Sequence, residues 1–494
     1  MDHHMGDVNP NAHPLSASHI SNPLIIIHVT LMLTAYGFLM PVGIMLGIRR
    51  HKYHVPWNAA MFIVAMTGYF FGYFHHMFGI GEGAHDDDDN QNDDKPADNM
   101  PGMPMPGMKL RKRAPSGDTS AEHYGLGFRG SAHGALANIL LLLLLVQVGM
   151  GVYRKLIKTR PRLQLTWLSN TLPREIHSYL GKAHLVLAYI QITLGFIKLF
   201  EACPGQAFGQ CISHIVMGSS FWWYGGIYIA YLVGSFPGVT RPEWYESVVM
   251  TVWGVINFSI LHQWGTRWSH ADLQHTSLGL LWVGGGLLSL LIESKYNPLA
   301  QFSIRKNPLP ALLIILTGYA MGQHSQYYAF ATTVHTFFGY CLMLGGACRL
   351  VQLGLRPAVA PEDEDITDEG YKSKPRLGST GLAGGETPTS AFFGLLSALG
   401  IISAGLLFES AHEEQLNLMM YYLTDPSTYI NWVMSFAFFT VAYMLFILQV
   451  GKKRAGGAKG QKAYNRLQTR DTFEEDRTLT SHDIEMSGFL DAED

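Results

Sequence analysis

The sequence predicts an all-α polytopic membrane bundle of about eleven spanning helices, N-terminus outside and C-terminus cytosolic. Composition, run length and charge placement predict it. Of 494 residues, 48% are hydrophobic and only 15% charged, a balance too apolar for a soluble protein of this length. The apolar residues are blocked into runs of about 20, the length that crosses a hydrocarbon core. Inside lipid, backbone groups must be satisfied within a helix or a closed barrel. The short alternating segments of barrel strands are missing from the sequence, so the runs read as helices.

In order, the spans read near 24–48, 55–78, 131–153, 178–200, 216–236, 245–263, 272–293, 307–322, 328–352, 389–409 and 428–450. Basic residues collect on cytosolic loops and set the orientation. Arg49, Arg50 and Lys52 follow the first span, and Arg154, Lys155, Lys158, Arg160 and Arg162 the third. Lys295, Arg305 and Lys306 follow the seventh; Lys452, Lys453, Arg454, Lys459 and Lys462 follow the last. Eleven spans place all of these on one side, with Lys109–Arg113 the exception, basic on an outer connection. The net charge of −3 says little by comparison. Lipid is the expected partner, and no nucleic acid.

Around this frame, residues 1–23 form a polar, His-rich outer tail without Lys or Arg and without a cleavable-leader pattern. Residues 24–200 form a four-span block whose outer connection, 79–130, is rich in Met, Asp, Gly and Pro and reads as disordered. Residues 201–450 form a seven-span block with a polar cytosolic linker at 357–389, and 451–494 a solvated cytosolic tail. Cys203 and Cys211 fall on an outer connection, where a disulfide and two thiols both stand open. Cys341 and Cys348 read as apolar fillers.

Histidines within spans are costly and mark candidate sites. His28 and His133 lie at the outer ends of spans one and three, His54 and His177 at the inner ends of spans two and four. The 21 residues from His28 to Arg49 separate the two levels by roughly 30 Å at most. Two haems, one near each face and each held by two imidazoles, need this layering. Interfacial histidines at helix ends would give the same spacing. The surrounding residues bear on the choice. His28-Val-Thr-Leu-Met with Tyr36-Gly-Phe-Leu-Met-Pro-Val-Gly43 and Arg49-Arg50 resembles the first core helix of the cytochrome b-561 family. His54-Val-Pro-Trp-Asn58 is similar to its second helix, with Asn58 where the family usually has Gln. Ser131-Ala-His133-Gly134 with Gln147 and Arg160-Pro161 is similar to the third, and His177-Ser-Tyr-Leu-Gly181-Lys182 through Gly195 to the fourth. The resemblance implies two haems b, His28 with His133 and His54 with His177, and transmembrane electron transfer from a cytosolic donor that the sequence does not name. His51, His75, His76 and His184 stand close enough to compete.

The second block resembles the C-terminal domain of the fungal YTP-type membrane proteins. The resemblance rests on Trp264-Gly-Thr-Arg-Trp268-Ser-His270-Ala-Asp272-Leu-Gln-His275, Gly322-Gln-His324 and Thr332-Thr-Val-His335. More distantly, the stretch at His275 is similar to the transmembrane protein 45 family. Neither family implies a settled activity. Span ends place His262, His270, Asp272, His275, His324, His335, Glu409, His412 and Glu413 on the outer side. Imidazoles beside carboxylates suit zinc or copper, and equally a hydrogen-bonded polar cap. Met100, Met103, Met105 and Met108 put four thioethers on the outer loop, a soft donor set for Cu(I) or simply a biased composition. Electron transfer through haem to an outer ferric or cupric ion is the leading expectation. A scaffold without cofactor stands beside it, as does a zinc-dependent hydrolase or transporter on the outer cluster, with Glu409 or Glu413 as base.

Overall fold

The computed structural model describes residues 22–78, 131–160, 162, 172–200, 202–203, 208–236, 239, 241–260, 268, 270–294, 306–323, 326, 328–356, 386–422 and 424–451. Among the described residues there are helices and no strands. The first block holds α1 (Pro23–Ile48), α2 (His54–Phe78), α3 (Ala132–Thr159) and α4 (Leu172–Leu199). The second holds α5 (Phe208–Leu232), α6 (Pro242–Ile260), α7 (His270–Glu293), α8 (Leu309–Gly322), α9 (Ala329–Leu355) and α10 (Pro388–Glu409). The short α11 (Glu413–Tyr421) and the long α12 (Pro426–Gly451) complete it. Eight of the described helices are long and apolar enough to cross a membrane. This is a polytopic all-α membrane bundle. The helices occupy the expected runs; α11 is additional, and α5 begins eight residues before the expected 216.

α1 and α2 pack as one hairpin, α3 and α4 as another. The two hairpins meet at mid-span, where Ala35, Met40, Met61, Ala65, Leu144 and Ala188 form a buried layer. That layer forms where α1 carries a π-helical segment, Leu33–Leu39. Pro41 explains the distortion: inside a helix it lacks an N–H and its ring crowds the carbonyl four residues back. The wider turn leaves carbonyls for side chains to satisfy. Trp57 Nε1 donates to the Leu39 carbonyl at 2.7 Å, and the Tyr443 hydroxyl of α12 donates to that of Phe38. Phe38 and Tyr443 also stack at 5.0 Å, fastening the second block to the first.

In the second block α5 packs on α10, α9 on both α8 and α10, and α6 on α7. Lipid tails give two apolar helices no hydrophobic reason to associate, so close backbone approach has to supply the attraction. A methyl on Gly218 would lie 2.6 Å from the Gly405 carbonyl, and one on Gly318 2.6 Å from the Gly339 carbonyl. Near the 236–241 end of this block lies a buried ionic network. Arg349 pairs with Glu243 at 2.8 Å and Glu246 at 3.2 Å, and Arg356 with Glu243 at 3.2 Å and Glu386 at 2.6 Å. Gln352 bridges Tyr228 at 2.5 Å and Glu386 at 3.0 Å. Three helices, α5, α6 and α9, and the start of α10 are thus joined by groups that need one another.

Breaking such a network leaves charge buried without its counter-charge, at a cost of about 3–5 kcal/mol. Arg349→Met should lower the unfolding midpoint of the detergent-solubilised protein well below that of Lys198→Met, an exposed control. Equal melting of the two variants would show that the network contributes nothing to stability.

Candidate functional site

The four-helix block brings the four histidines together as two pairs. The rings of His28 (α1) and His133 (α3) lie 6.3 Å apart between centroids at 90°. Those of His54 (α2) and His177 (α4) lie 6.2 Å apart at 89°. Each pair therefore bridges the two hairpins, one at each end of the block. From His54 to Gly72, the residue His28 packs against, is 18 residues of α2, which puts the levels about 27 Å apart.

One arrangement recurs at all four rings. His28 Nδ1 lies 2.7 Å from the Gly68 carbonyl, and His54 Nδ1 lies 2.9 Å from that of Gly43. His133 Nδ1 lies 3.3 Å from the Gln191 carbonyl, and His177 Nδ1 lies 3.2 Å from that of Gln147. A carbonyl only accepts, so at His28 and His177 Nδ1 carries the proton and donates, and Nε2 keeps the lone pair; at His54 and His133 an amide nitrogen, of Asn58 at 3.1 Å and Gln191 at 3.0 Å, lies on Nδ1 beside the carbonyl. One helical turn beyond each accepting carbonyl is a glycine on which the ring rests. A methyl would fall 2.6 Å from His28 on Gly72, 2.7 Å from His54 on Gly47, 3.0 Å from His133 on Gly195 and 3.3 Å from His177 on Gly151. The relation is reciprocal: within each hairpin, each helix supplies a histidine to one level and a glycine cradle to the other.

Amides fix the backbones that carry the rings. Gln147 Nε2 donates to the His177 carbonyl and Gln191 Nε2 to that of His133, both at 2.9 Å. Asn58 Nδ2 donates to the His54 carbonyl at 2.7 Å. The Gln191 amide also lies 3.0 Å from His133 Nδ1 and 3.4 Å from Nε2. All four rings are half-buried. Of the competing histidines, His51 is exposed beside Tyr53, with ring centroids 5.2 Å apart, and His184 is sealed inside the block, while the side chain of His76 lies outside the described residues. Two imidazoles facing one another across a gap are a donor arrangement that could hold one metal ion between them.

The outer cluster of the second block is less concentrated. His262 and His324 lie outside the described residues, as do Met100, Met103, Met105 and Met108. His270 opens α7 and Glu413 opens α11, their backbones alone being described. Asp272 and His275 occupy the first turns of α7. His412 caps α11, accepting from the Gln415 N–H at 3.3 Å through Nδ1. Glu409 accepts from the Ser219 hydroxyl at 3.3 Å. Among the described residues no three His, Cys, Asp or Glu side chains form a metal-binding group. His335, buried on α9, meets a partner the sequence reading had not singled out: His214 of α5, with ring centroids 6.1 Å apart at 84°. The intramembrane-histidine rule would have found His214 had α5 been read from residue 208. Cys203 and Cys211 form a disulfide with Cα atoms 5.2 Å apart.

The family model described as "Protein YTP1-like, C-terminal" matches residues 187–452, more than half of the chain. The chain belongs to the YTP1-like family. Residues 13–79, with His28 and His54, match a domain of unknown function, DUF2427. Protein YTP1 of Saccharomyces cerevisiae is 32% identical over 60% of this chain and 61% of its own length. The same yeast's "Uncharacterized membrane protein YCR061W" is 26% identical over 57% of this chain and 44% of its own length. "Uncharacterized membrane protein C3B8.06" of Schizosaccharomyces pombe is 22% identical over 70% of this chain and 82% of its own length. The chain thus spans less than two thirds of the length of the first two relatives. No solved structure matches it. With relatives named as membrane proteins and its own long apolar helices, this YTP1-like chain is a multi-pass integral membrane protein.

If the cradles position the rings, filling them should strain the site. Gly72→Ala should cost about 1–3 kcal/mol of stability by overpacking against His28. Gly37→Ala and Gly149→Ala, whose added methyls meet nothing within 4 Å, serve as controls in the same thermal or chemical denaturation series. A Gly72→Ala midpoint equal to both would exclude the cradle.

Proposed function

We propose that the four-helix block is a haem-binding electron conduit, carrying electrons from a cytosolic reductant to an acceptor such as ferric or cupric ion at the opposite face. The single observation that carries this reading is the pair of cross-hairpin imidazole couples, with centroids 6.3 and 6.2 Å apart. With a metal–imidazole bond of about 2.0 Å and the ring centre about 1.1 Å beyond the nitrogen, two imidazoles that shared one ion between them would have centroids about 6.2 Å apart. His28 and His133 would hold one haem b, and His54 and His177 a second. Bound haem would supply reversible one-electron transfer there.

The donor set fits that group. Neutral imidazole nitrogens suit iron, and the Nδ1–H to carbonyl bonds of His28 and His177 leave Nε2 of each as the nitrogen that would meet a metal. Those bonds also raise the basicity of Nε2, which favours the oxidised metal and lowers its potential. The hairpins touch mainly in the mid-span layer around Ala35, Met40, Leu144 and Ala188, leaving the two histidine levels on either side of it. Motif resemblance to the cytochrome b-561 family supports the same assignment. In this reading the second block is the platform to which the conduit is fastened through Phe38 and Tyr443.

The full chain purified from haem-supplied cells should give a reduced b-type spectrum with two haems per chain. His133→Ala and His177→Ala should each retain one haem, from different levels and with different midpoint potentials. A colourless folded protein, or a haem content unchanged by both substitutions, would remove the proposal.

A further inference from the structure

We propose that His184 of α4 is a proton-accepting site between the two histidine levels, taking up a proton as electrons enter the block. The inference rests on the haem reading above and adds to it a group outside the two imidazole couples. His184 lies seven residues from His177 and seven from Gln191, whose amide holds the His133 backbone. Seven residues are about two helical turns, so the ring shares the face of His177 and stands about 10 Å along α4 from each level. It is 2% exposed and sits one turn from Ala188 of the mid-span layer.

The surroundings of the ring suit a positive charge. Beside it lie the carbonyls of Leu140 on α3 and Leu180 on α4, and neither ring nitrogen makes a hydrogen bond of ordinary geometry. Carbonyls only accept, so a neutral imidazole can use one of them through its single N–H, whereas an imidazolium can use both. Along the same α3–α4 seam, Gln147 Oε1 and Gln191 Oε1 are buried without a donor, their Nε2 atoms being engaged by the His177 and His133 carbonyls.

Counter-charge is what the seam lacks. Residues 29–48, 55–74, 134–153 and 178–197, between the two levels, contain no Asp, Glu or Arg. Lys182 is exposed, its ammonium over the Tyr179 ring. Tyr36 of α1 joins the mid-span layer, and Tyr189 stacks on Trp222 of α5 beside Glu409 of α10. A buried charge without a counter-charge is costly, so His184 holds its proton only when an electron supplies negative charge nearby. At about 10 Å and an effective dielectric of about 20, one added electron tightens proton binding at His184 roughly tenfold. The electron comes from the cytosolic reductant and the proton from water, and both leave when the outer acceptor is reduced. Because the reduced state binds the proton more tightly, the midpoint potential falls as pH rises through the titration of His184.

The test is a potentiometric titration of the full-length, haem-loaded chain in detergent between about pH 5.5 and 8.5, beside His184→Leu and His184→Gln. In the parent both midpoint potentials should fall by about 59 mV in total, the equivalent of a tenfold change in proton affinity. Each His184 variant should keep its two haems and its b-type spectrum and lose that fall. Glu409→Gln should keep the fall, and the phenols of Tyr36 and Tyr189, which ordinarily titrate near about pH 10, add nothing in this range. A haem protein whose potentials do not change with pH, or His184 variants that keep the fall, would overturn the inference and leave the conduit standing. A colourless chain would remove both. Should neither His184 variant fold, a fall that survives Glu409→Gln supports the assignment, and flat parent potentials or a fall lost in Glu409→Gln overturn it.

Discussion

An imidazole inside a membrane protein needs a partner for its N–H, and in a helical bundle most backbone carbonyls are already taken. The first block meets this constraint at four places in one way. The ring reaches across to a carbonyl on the neighbouring helix, and a glycine one turn further on leaves room for it. The bond does more than satisfy a donor. It chooses the tautomer, turns the ring and leaves Nε2 directed away from the helix that holds it. Remove the glycine and the ring cannot reach the carbonyl; remove the carbonyl contact and nothing fixes where the nitrogen points. Pairing at both levels depends on this local contact, and so does any chemistry the block performs.

The second block solves the same solvent problem by other means. Its helices approach through small residues such as Gly218 and Gly405, and its charges neutralise each other in the network around Arg349. Arg349 and Arg356 share Glu243, so no single carboxylate balances a single guanidinium and the network behaves as a unit. Where the blocks meet, the contacts again answer a backbone need. Tyr443 reaches a carbonyl in the π-helical segment that Pro41 imposes on α1. On the α4 side, Tyr189 stacks against Trp222 at 5.3 Å and 15°, adding a second seam. A distortion in one helix is therefore part of what holds the two halves together.

Much of this was legible in the residues. The apolar runs located the helices, because length and hydropathy are local properties that lipid reads directly. The order of His28, His54, His133 and His177 along alternating spans already implied two levels. Other features were not legible because they depend on pairs of helices. Gly47, Gly72, Gly151 and Gly195 are common residues in membrane helices, and only their position beneath a ring gives them a role. His214 was overlooked because α5 starts at 208 instead of 216, which brings His214 from a connection into a helix. The nine-residue α11 has too few apolar residues to stand out as a run, and its start is marked by the His412 cap.

By itself the sequence determined that this chain is a helical bundle built for lipid, where most helices lie and that histidines gather near two surfaces. Hydrophobic run length and charge placement act along the chain, so no folded structure is needed to read them. Tertiary structure alone decided which imidazole faces which, because a centroid separation of 6.2 Å between His54 and His177, 123 residues apart in the chain, is a property of how two hairpins pack. It also decided that His335 meets His214 and that Glu243, Arg349 and Glu386 form one network. Such partners are chosen by the packing of helices distant in sequence, where only mutual geometry, and no local pattern, selects the contact.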